Sequence, residues 1–377
     1  MSALYIHIPF CKTRCNYCDF YKSTSCDNVE RYVEALFREM DYQRDFLRMH
    51  PVKTLYFGGG TPSLLAPAYL QRIKERAAEM WDLTQLEEVT VEINPDDATD
   101  EYLDDLSRIG VNRISFGVQS FIDRDLRFMG RRHTAAQAVD AIGRARNRGF
   151  DNISVDLIFG IPGMSLMEWE GNILKALMLG VQHISAYHLT IADDTVFGRM
   201  AASGELVPVD EEVSEEQYMR CHQMLTEVGF EHYEISNYAL GRQRRSQHNM
   251  SYWNGDLYLG LGPSAHSYTG SKRIMVVNDL EKYIAGAGTR NIYGTELLSS
   301  SDTYNEFIMT SLRTSDGIQR DRMAAKFGFK GLLYFEYTAE RLVDEGLLVM
   351  EDNAYKIPPE KFIISNSIIS DLFYIEA

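Results

Sequence analysis

The stretch Leu4-Tyr-Ile-His-Ile-Pro-Phe-Cys11-Lys-Thr-Arg-Cys15-Asn-Tyr-Cys18 decides how the rest of the chain is read. Residues 4–8 predict a β-strand, and the strand runs into a loop with cysteines spaced C-x3-C-x2-C. Thiolates are soft ligands that suit iron–sulfur clusters and zinc. Three on one short loop can hold three corners of a cubane cluster and leave the fourth iron open to a small molecule. A structural zinc site is closed by four ligands, and Cys26, a little further along, is the residue that would complete one. The position of the loop favours the cluster, because α/β folds place their chemistry at the C-terminal ends of strands.

Outward from this loop, short apolar runs alternate with longer helical patterns. Strands are predicted at residues 4–8, 53–57, 88–93, 113–118, 152–159 and 183–189, all rich in Val, Ile, Tyr and Phe. Helical spacing appears between them, as in Tyr32, Val33, Leu36, Phe37, Met40 and again in Leu103, Leu106, Ile109. Repeated strand–helix alternation implies a parallel sheet with helical crossovers, either an incomplete (β/α) barrel or a curved open sheet. The pattern changes after about residue 189. A helix is expected at 214–228, a strand at 232–238, and loop over the Gly- and aromatic-rich stretch 252–268. From about residue 303 the order is helix, helix, helix, a hairpin around 347–357 turning at Glu351-Asp-Asn353, and a closing helix near 362–372. That order resembles a winged helix. The expected segments are 1–230, 231–300 and 301–377, the class being α/β with a smaller C-terminal α+β unit.

The chain has 377 residues, 45% of them hydrophobic and 24% charged, as in an ordinary globular protein. A formal charge of −16 argues against a nucleic-acid partner, which wants a basic face. The C-terminal unit therefore reads as a packing or partner-docking module, and Arg242-Gln-Arg-Arg245 as a solvated loop. No apolar run is long enough to span a bilayer and no secretory signal is visible. Five cysteines, three of them clustered, do not look like a disulfide framework, so a reducing cytoplasm fits. Cys26 and Cys221 are expected to be buried and inert.

Polar residues recur at the strand ends. Gly58-Gly-Gly-Thr-Pro-Ser63 follows the second strand, and its glycines let backbone N–H groups approach a ligand. Glu92-Ile-Asn-Pro95, Gly117-Val-Gln-Ser120 and Asp156-Leu-Ile-Phe-Gly-Ile-Pro162 end the third, fourth and fifth strands. Each could be only a cap or turn, but their repetition suits a barrel mouth that holds a polar ligand. His248-Asn-Met-Ser-Tyr-Trp253 lies beyond the barrel. On chemistry alone it reads as a surface histidine beside a small aromatic cluster, with haem ligation as the alternative.

Together these residues resemble the radical S-adenosylmethionine (SAM) superfamily, and within it the HemN/HemW group. The resemblance is carried by Tyr-Ile-His-Ile-Pro-Phe-Cys, Gly-Gly-Gly-Thr-Pro-Ser, Gly-Val-Gln-Ser, Asp-Leu-Ile-x-Gly-x-Pro and Gly-Leu-Gly-Pro-Ser-Ala-His266. It implies a partial (β/α)6 barrel. It also implies a [4Fe-4S] cluster on Cys11, Cys15 and Cys18, with SAM chelating the open iron. Tyr5, Tyr17, Gly59, Gly60, Thr61, Glu92, Gln119, Arg131 and Asp156 fall where SAM-binding positions are expected. Three features point to the haem-chaperone branch of the group. Phe20 stands where the dehydrogenase branch carries a further cysteine, the chain begins only a few residues before its first strand, and His248-Asn-x-x-Tyr-Trp253 matches that branch's haem-associated motif. The resemblance thus implies haem as a ligand, with His248, Tyr252 and Trp253 at its site. It also implies an acceptor protein for the haem and a reducing electron donor. The alternative is an oxygen-independent coproporphyrinogen III dehydrogenase, which oxidatively decarboxylates propionates to vinyl groups. A radical SAM enzyme acting on something other than a tetrapyrrole is a third reading.

Overall fold

A computed structural model of the protein describes residues 2–374, so residue 1 and residues 375–377 of the outer segments lie outside it. Six parallel strands form its centre: β1 (Ser2–Ile8), β2 (Thr54–Gly59), β3 (Glu88–Ile93), β4 (Arg113–Gln119), β5 (Ile153–Phe159) and β6 (His183–His188). Each is buried along most of its length, as strands covered on both faces must be. The crossovers are α1 (Val29–Tyr42), α2 (Pro67–Met80), α3 (Asp100–Ile109), the pair α4 (Asp123–Phe128) and α5 (Ala135–Asn147), and α6 (Leu166–Met178). Local signals start and stop them. Thr134 with Gln137 and Ser165 with Glu168 form reciprocal capping boxes on α5 and α6, and Gly110 ends α3 in the left-handed region.

After β6 come α7 (Val196–Ser203) and α8 (Glu211–Glu227). The expected strand at 232–238 is instead a tight antiparallel pair, β7 (Glu231–Glu234) and β8 (Asn237–Ala239), which hydrogen-bonds to β6. α9 (Gln247–Trp253) follows. The stretch expected as loop then holds β9 (Leu257–Leu261) and β10 (His266–Tyr268), continued by β11 (Lys272–Val276), α10 (Leu280–Gly286) and β12 (Tyr293–Leu297). β9 lies parallel to β1, with Ser2 opposite Leu257 and Ile6 opposite Leu261. Gly260 is needed there, since a Cβ would stand 2.2 Å from the His266 carbonyl oxygen. Glycine and tyrosine obscure a strand whose partner is far away in sequence. The sheet order is β12-β11-β10-β9-β1-β2-β3-β4-β5-β6-β8-β7. Segment 231–300 thus supplies both flanks of one twelve-stranded sheet.

The C-terminal unit holds α11 (Ser300–Leu312), β13 (Ile318–Gln319) and α12 (Arg320–Asp344), which Gly328 breaks into two helices. The hairpin β14 (Val349–Glu351) and β15 (Ala354–Lys356) turns through Asp352 and Asn353, both at positive φ. A 3-10 turn at Pro359–Ile364 leads into α13 (Ser365–Ser370), shorter than the closing helix expected. The basic loop is anchored rather than only solvated: Arg245 pairs with Glu231 and Asp316 at 3.1 and 3.0 Å, and Arg244 with Asp151 at 3.2 Å. Among the described residues no helix is long and apolar enough to cross a membrane.

Candidate functional site

The ends of β1 to β6 converge on one cavity of about 510 Å³, a size typical of cofactor and ligand sites. Cys11, Cys15 and Cys18 line it, each with a free thiol. Their loop is fastened at several points. Cys11 N–H donates to the Ser23 carbonyl at 2.9 Å, and Asn16 donates through N and Nδ2 to Met129 and Phe128 carbonyls at 2.9 and 2.8 Å. Lys12 pairs with Asp97 at 2.8 Å, so the loop is tied to the residues beyond β3. Burial pushes the Cys11 thiol up, against a hydrogen bond from Thr61 Oγ1 at 3.4 Å. Arg131 Nη1 likewise points at Cys15 Sγ at 3.4 Å.

The donor set fits an iron–sulfur cluster. Three thiols share a cavity, and two of them receive hydrogen bonds of the kind that tune cluster thiolates. A cubane takes its thiolates on separate irons, so they need not close on a point. Among the described residues no three His, Cys, Asp or Glu side chains form a single-ion site. Cys26 is exposed, contrary to the expectation that it is buried, whereas Cys221 is buried and burial pushes its thiol up to about 12.

Eight of the nine positions expected for SAM line the same cavity: Tyr17, Gly59, Gly60, Thr61, Glu92, Gln119, Arg131 and Asp156. Gly59 has φ +107°, and a Cβ there would meet the His7 ring at 2.6 Å. Glu92 accepts from Tyr56 OH at 2.8 Å and from Gly59 N–H at 3.1 Å, and burial pushes it up to about 7. Gln119 sits at φ +69° beside a register shift between β4 and β5, a strained turn on the cavity lining. Arg131 is buried and donates to the Gly117 carbonyl at 2.6 Å and to Asn94 Oδ1. Its neighbour Arg132 pairs at the rim with Asp96 and Asp97. Burial raises Asp156 as well, against hydrogen bonds from Ser185 and Ser115. Buried carboxylates, a strained amide and a guanidinium around one space suit a ligand carrying both an amino and a carboxylate group.

Tyr5 is not among the lining side chains. Its hydroxyl meets His7 Nδ1 at 3.2 Å, and its ring packs 6.0 Å from Tyr56 and 6.1 Å from His248. The expectation that His248 ligates haem iron meets a different geometry. Its imidazole is 1% exposed, with Nδ1 2.8 Å from Thr54 Oγ1 and Nε2 2.8 Å from Tyr252 OH. Neither nitrogen is left for a metal, and burial pushes its pKa down to about 3. Its ring stacks on Tyr56 at 4.8 Å, so it staples α9 to the inside of the sheet. Trp253 and the Tyr252 ring instead line a separate 130 Å³ cleft against α11 and α12. Sequence reasoning missed Asp97, which fastens the cysteine loop, and His188 at the end of β6. Applying the strand-end rule to the sixth strand would have found the second.

A family model described as the radical SAM superfamily matches residues 5–176. The heme chaperone HemW of Lactococcus lactis subsp. lactis is 34% identical over 370 residues, covering 97% of this chain and 96% of that protein. The heme chaperone HemW of Bacillus subtilis is 34% identical over 372 residues, covering 98% of each. The structure of coproporphyrinogen III oxidase (HemN) from Escherichia coli superposes with a TM-score of 0.83 at 20% identity, over 99% of this chain and 90% of that one, a likeness of fold. Fold and site thus define a radical SAM protein, a class that implies a [4Fe-4S] cluster and SAM. Within that class the chain belongs to the heme chaperone HemW family.

Proposed function

We propose that this protein binds a [4Fe-4S] cluster, SAM and haem in the cytoplasm, and passes the haem to an acceptor protein. The observation that carries the cluster and SAM is the single cavity shared by the cysteine triplet and the strand-end residues. The haem half is supported by relatives, named heme chaperones, that match the chain nearly end to end.

Cys11, Cys15 and Cys18 would hold the cluster, with Thr61 and Arg131 steadying the charge on two of the sulfurs. A cluster held there would supply the low-potential electron for chemistry on SAM. Glu92, Gln119, Arg131 and Asp156 would orient the polar groups of SAM, and Gly59 and Gly60 allow its close approach. The buried walls exclude water, since the hard chemistry belongs to the cofactor. Segment 301–377 serves as a docking module, and a reductant must reach the cluster from outside. A cytoplasmic setting keeps the thiols reduced.

The test is anaerobic reconstitution of wild type and Cys15→Ser, followed by iron analysis, SAM binding and a hemin titration of the Soret band. Wild type is expected to fill with iron, bind SAM and take hemin saturably. The variant is expected to lose cluster iron and SAM. Full iron in Cys15→Ser would sink the cluster assignment. Sustained coproporphyrinogen turnover with no saturable hemin uptake would replace the chaperone reading with the dehydrogenase.

A further inference from the structure

The glycine run Gly58-Gly-Gly60 reads as a turn that lets a ligand approach, but its first member serves a different neighbour. A Cβ at Gly58 would lie 2.7 Å from Tyr56 Cε1 and 2.9 Å from Glu92 Oε1. The missing side chain leaves the space in which Tyr56 OH donates to Glu92 Oε1 at 2.8 Å. Glu92 lines the cavity, whereas Tyr56 stands one layer behind the lining and has no role among the residues expected to hold SAM.

The pair is held from both sides. Glu92 Oε2 accepts from Gly59 N–H at 3.1 Å, so each carboxylate oxygen has one protein donor and keeps acceptor capacity for a ligand. The Tyr56 ring is packed in place, with His248 stacked on it at 4.8 Å and Tyr5 at 6.0 Å. Tyr5, which does not line the cavity, thus backs a residue that touches Glu92. Burial pushes the Tyr56 phenol well above its ordinary pKa, so the hydroxyl keeps its proton and stays a donor. The other groups facing Glu92 are Asp156 from β5, Arg113 from β4, and the phenols of Tyr5 from β1, Tyr187 from β6 and Tyr252 from α9. Asp156 opposes ionisation of Glu92, while Tyr56, Gly59 N–H and Arg113 favour it.

We propose that Tyr56 is a positioning residue of the SAM site, whose hydroxyl fixes the orientation of the Glu92 carboxylate toward the ligand. This rests on the reading that the cavity takes SAM. A carboxylate already held by two donors meets its ligand without reorganising, and the supporting residue is itself locked by packing. Tyr56 acts only through Glu92. Phenylalanine at this position keeps the ring and its stacking and removes the one bond.

The test uses full-length wild type and Tyr56→Phe, reconstituted anaerobically, with iron per chain and SAM affinity measured between about pH 6 and pH 9. Tyr56→Phe should keep wild-type iron and bind SAM about tenfold more weakly at neutral pH, the scale of a hydrogen bond to a charged group. Loss of the donor pushes Glu92 further up from about 7, so the variant needs a higher pH to ionise it. The ratio of the two affinities should therefore be widest at the acid end and narrow as pH rises. Taking the ratio cancels the titration of SAM itself. Equal affinities across the range overturn the proposal and leave the SAM site standing. A ratio that is constant with pH also overturns it, because the defect then lies in the wall and not in Glu92. So does loss of cluster iron in Tyr56→Phe, which would place the hydroxyl in support of the cysteine loop. Wild type that fills with iron but binds no SAM overturns both readings.

Discussion

Gly60 has no room for a side chain. A Cβ there would lie 2.6 Å from the Phe10 carbonyl oxygen and 2.8 Å from that of Ile8, both backbone atoms that cannot give way cheaply. Its own N–H donates to Ile8 O at 2.7 Å, so it ties the turn after β2 to the end of β1, where the cysteine loop begins. Gly60→Ala is expected to cut cluster occupancy, read as iron and sulfide per chain after anaerobic reconstitution. Glu39 is a second residue with a decisive setting. Fully buried, it accepts from Gly262 N–H at 2.8 Å, Tyr283 OH at 2.6 Å and Tyr293 OH at 3.1 Å. Burial pushes it from the ordinary 4.5 to about 7. The folded protein therefore keeps a proton that the unfolded chain releases, and stability falls as pH rises from 4.5 through 7. The full effect is on the order of 3 kcal/mol. Glu39→Gln cannot titrate, so melting curves across that window should show the variant gaining on wild type as pH rises. A constant gap would show that Glu39 is ionised in the fold.

α9 shows how one short element is held in place. Glu88 at the start of β3 accepts from the N–H groups of Gln247 and His248 at 3.0 and 3.1 Å, and Ser246 caps Asn249 N–H at 3.3 Å. Seven residues cannot form a stable helix alone, so these bonds and the His248–Thr54 contact define it. Glu88→Ala should strip one buried and one half-buried donor of their partner, costing about 1–3 kcal/mol. Hydrogen exchange would then be faster at 246–254 while the sheet stays protected. At this scale the sequence was readable where a segment signals by itself. β1 to β6 show as buried apolar runs, and the three helices expected from about residue 303 are α11 and the two parts of α12 that Gly328 separates. β9 was not readable, because Leu257-Tyr-Leu-Gly-Leu261 becomes a strand only through contact with β1. The site divides the same way. Strand-end motifs exposed the lining residues, but a motif cannot show which way a side chain faces. On its motif alone His248 read as a surface histidine and by resemblance as a haem residue, and the structure holds it as a buried staple, while the strand-end rule carried on to β6 reaches His188.

The described residues form a twelve-stranded sheet with its crossovers and, fastened to one flank, a C-terminal unit of helices and a three-stranded sheet, β13-β15-β14. Arg273 on β11 pairs with Glu306 on α11 at 2.8 Å, and Arg322 donates to the Asn254 carbonyl. Phe307, 3% exposed, lies under both Arg322 and Lys326 at 5.3 Å. Phe307→Ala empties this joint and is expected to cost about 3–5 kcal/mol. Calorimetry should show the C-terminal unit melting early, with cluster iron unchanged. An unsplit transition at the wild-type temperature would mean that the joint carries no load. The pairing of β1 with β9 has a further consequence, for biogenesis. β1 leaves the ribosome about 250 residues ahead of its partner β9, a wait on the order of 10–50 s at ordinary elongation rates. Until then one edge of β1 is bare, and the cysteines that follow it are reachable by whatever delivers iron and sulfide. A nascent chain cut short before residue 257 would keep that bare edge, and a clump of unfinished chains is its natural end.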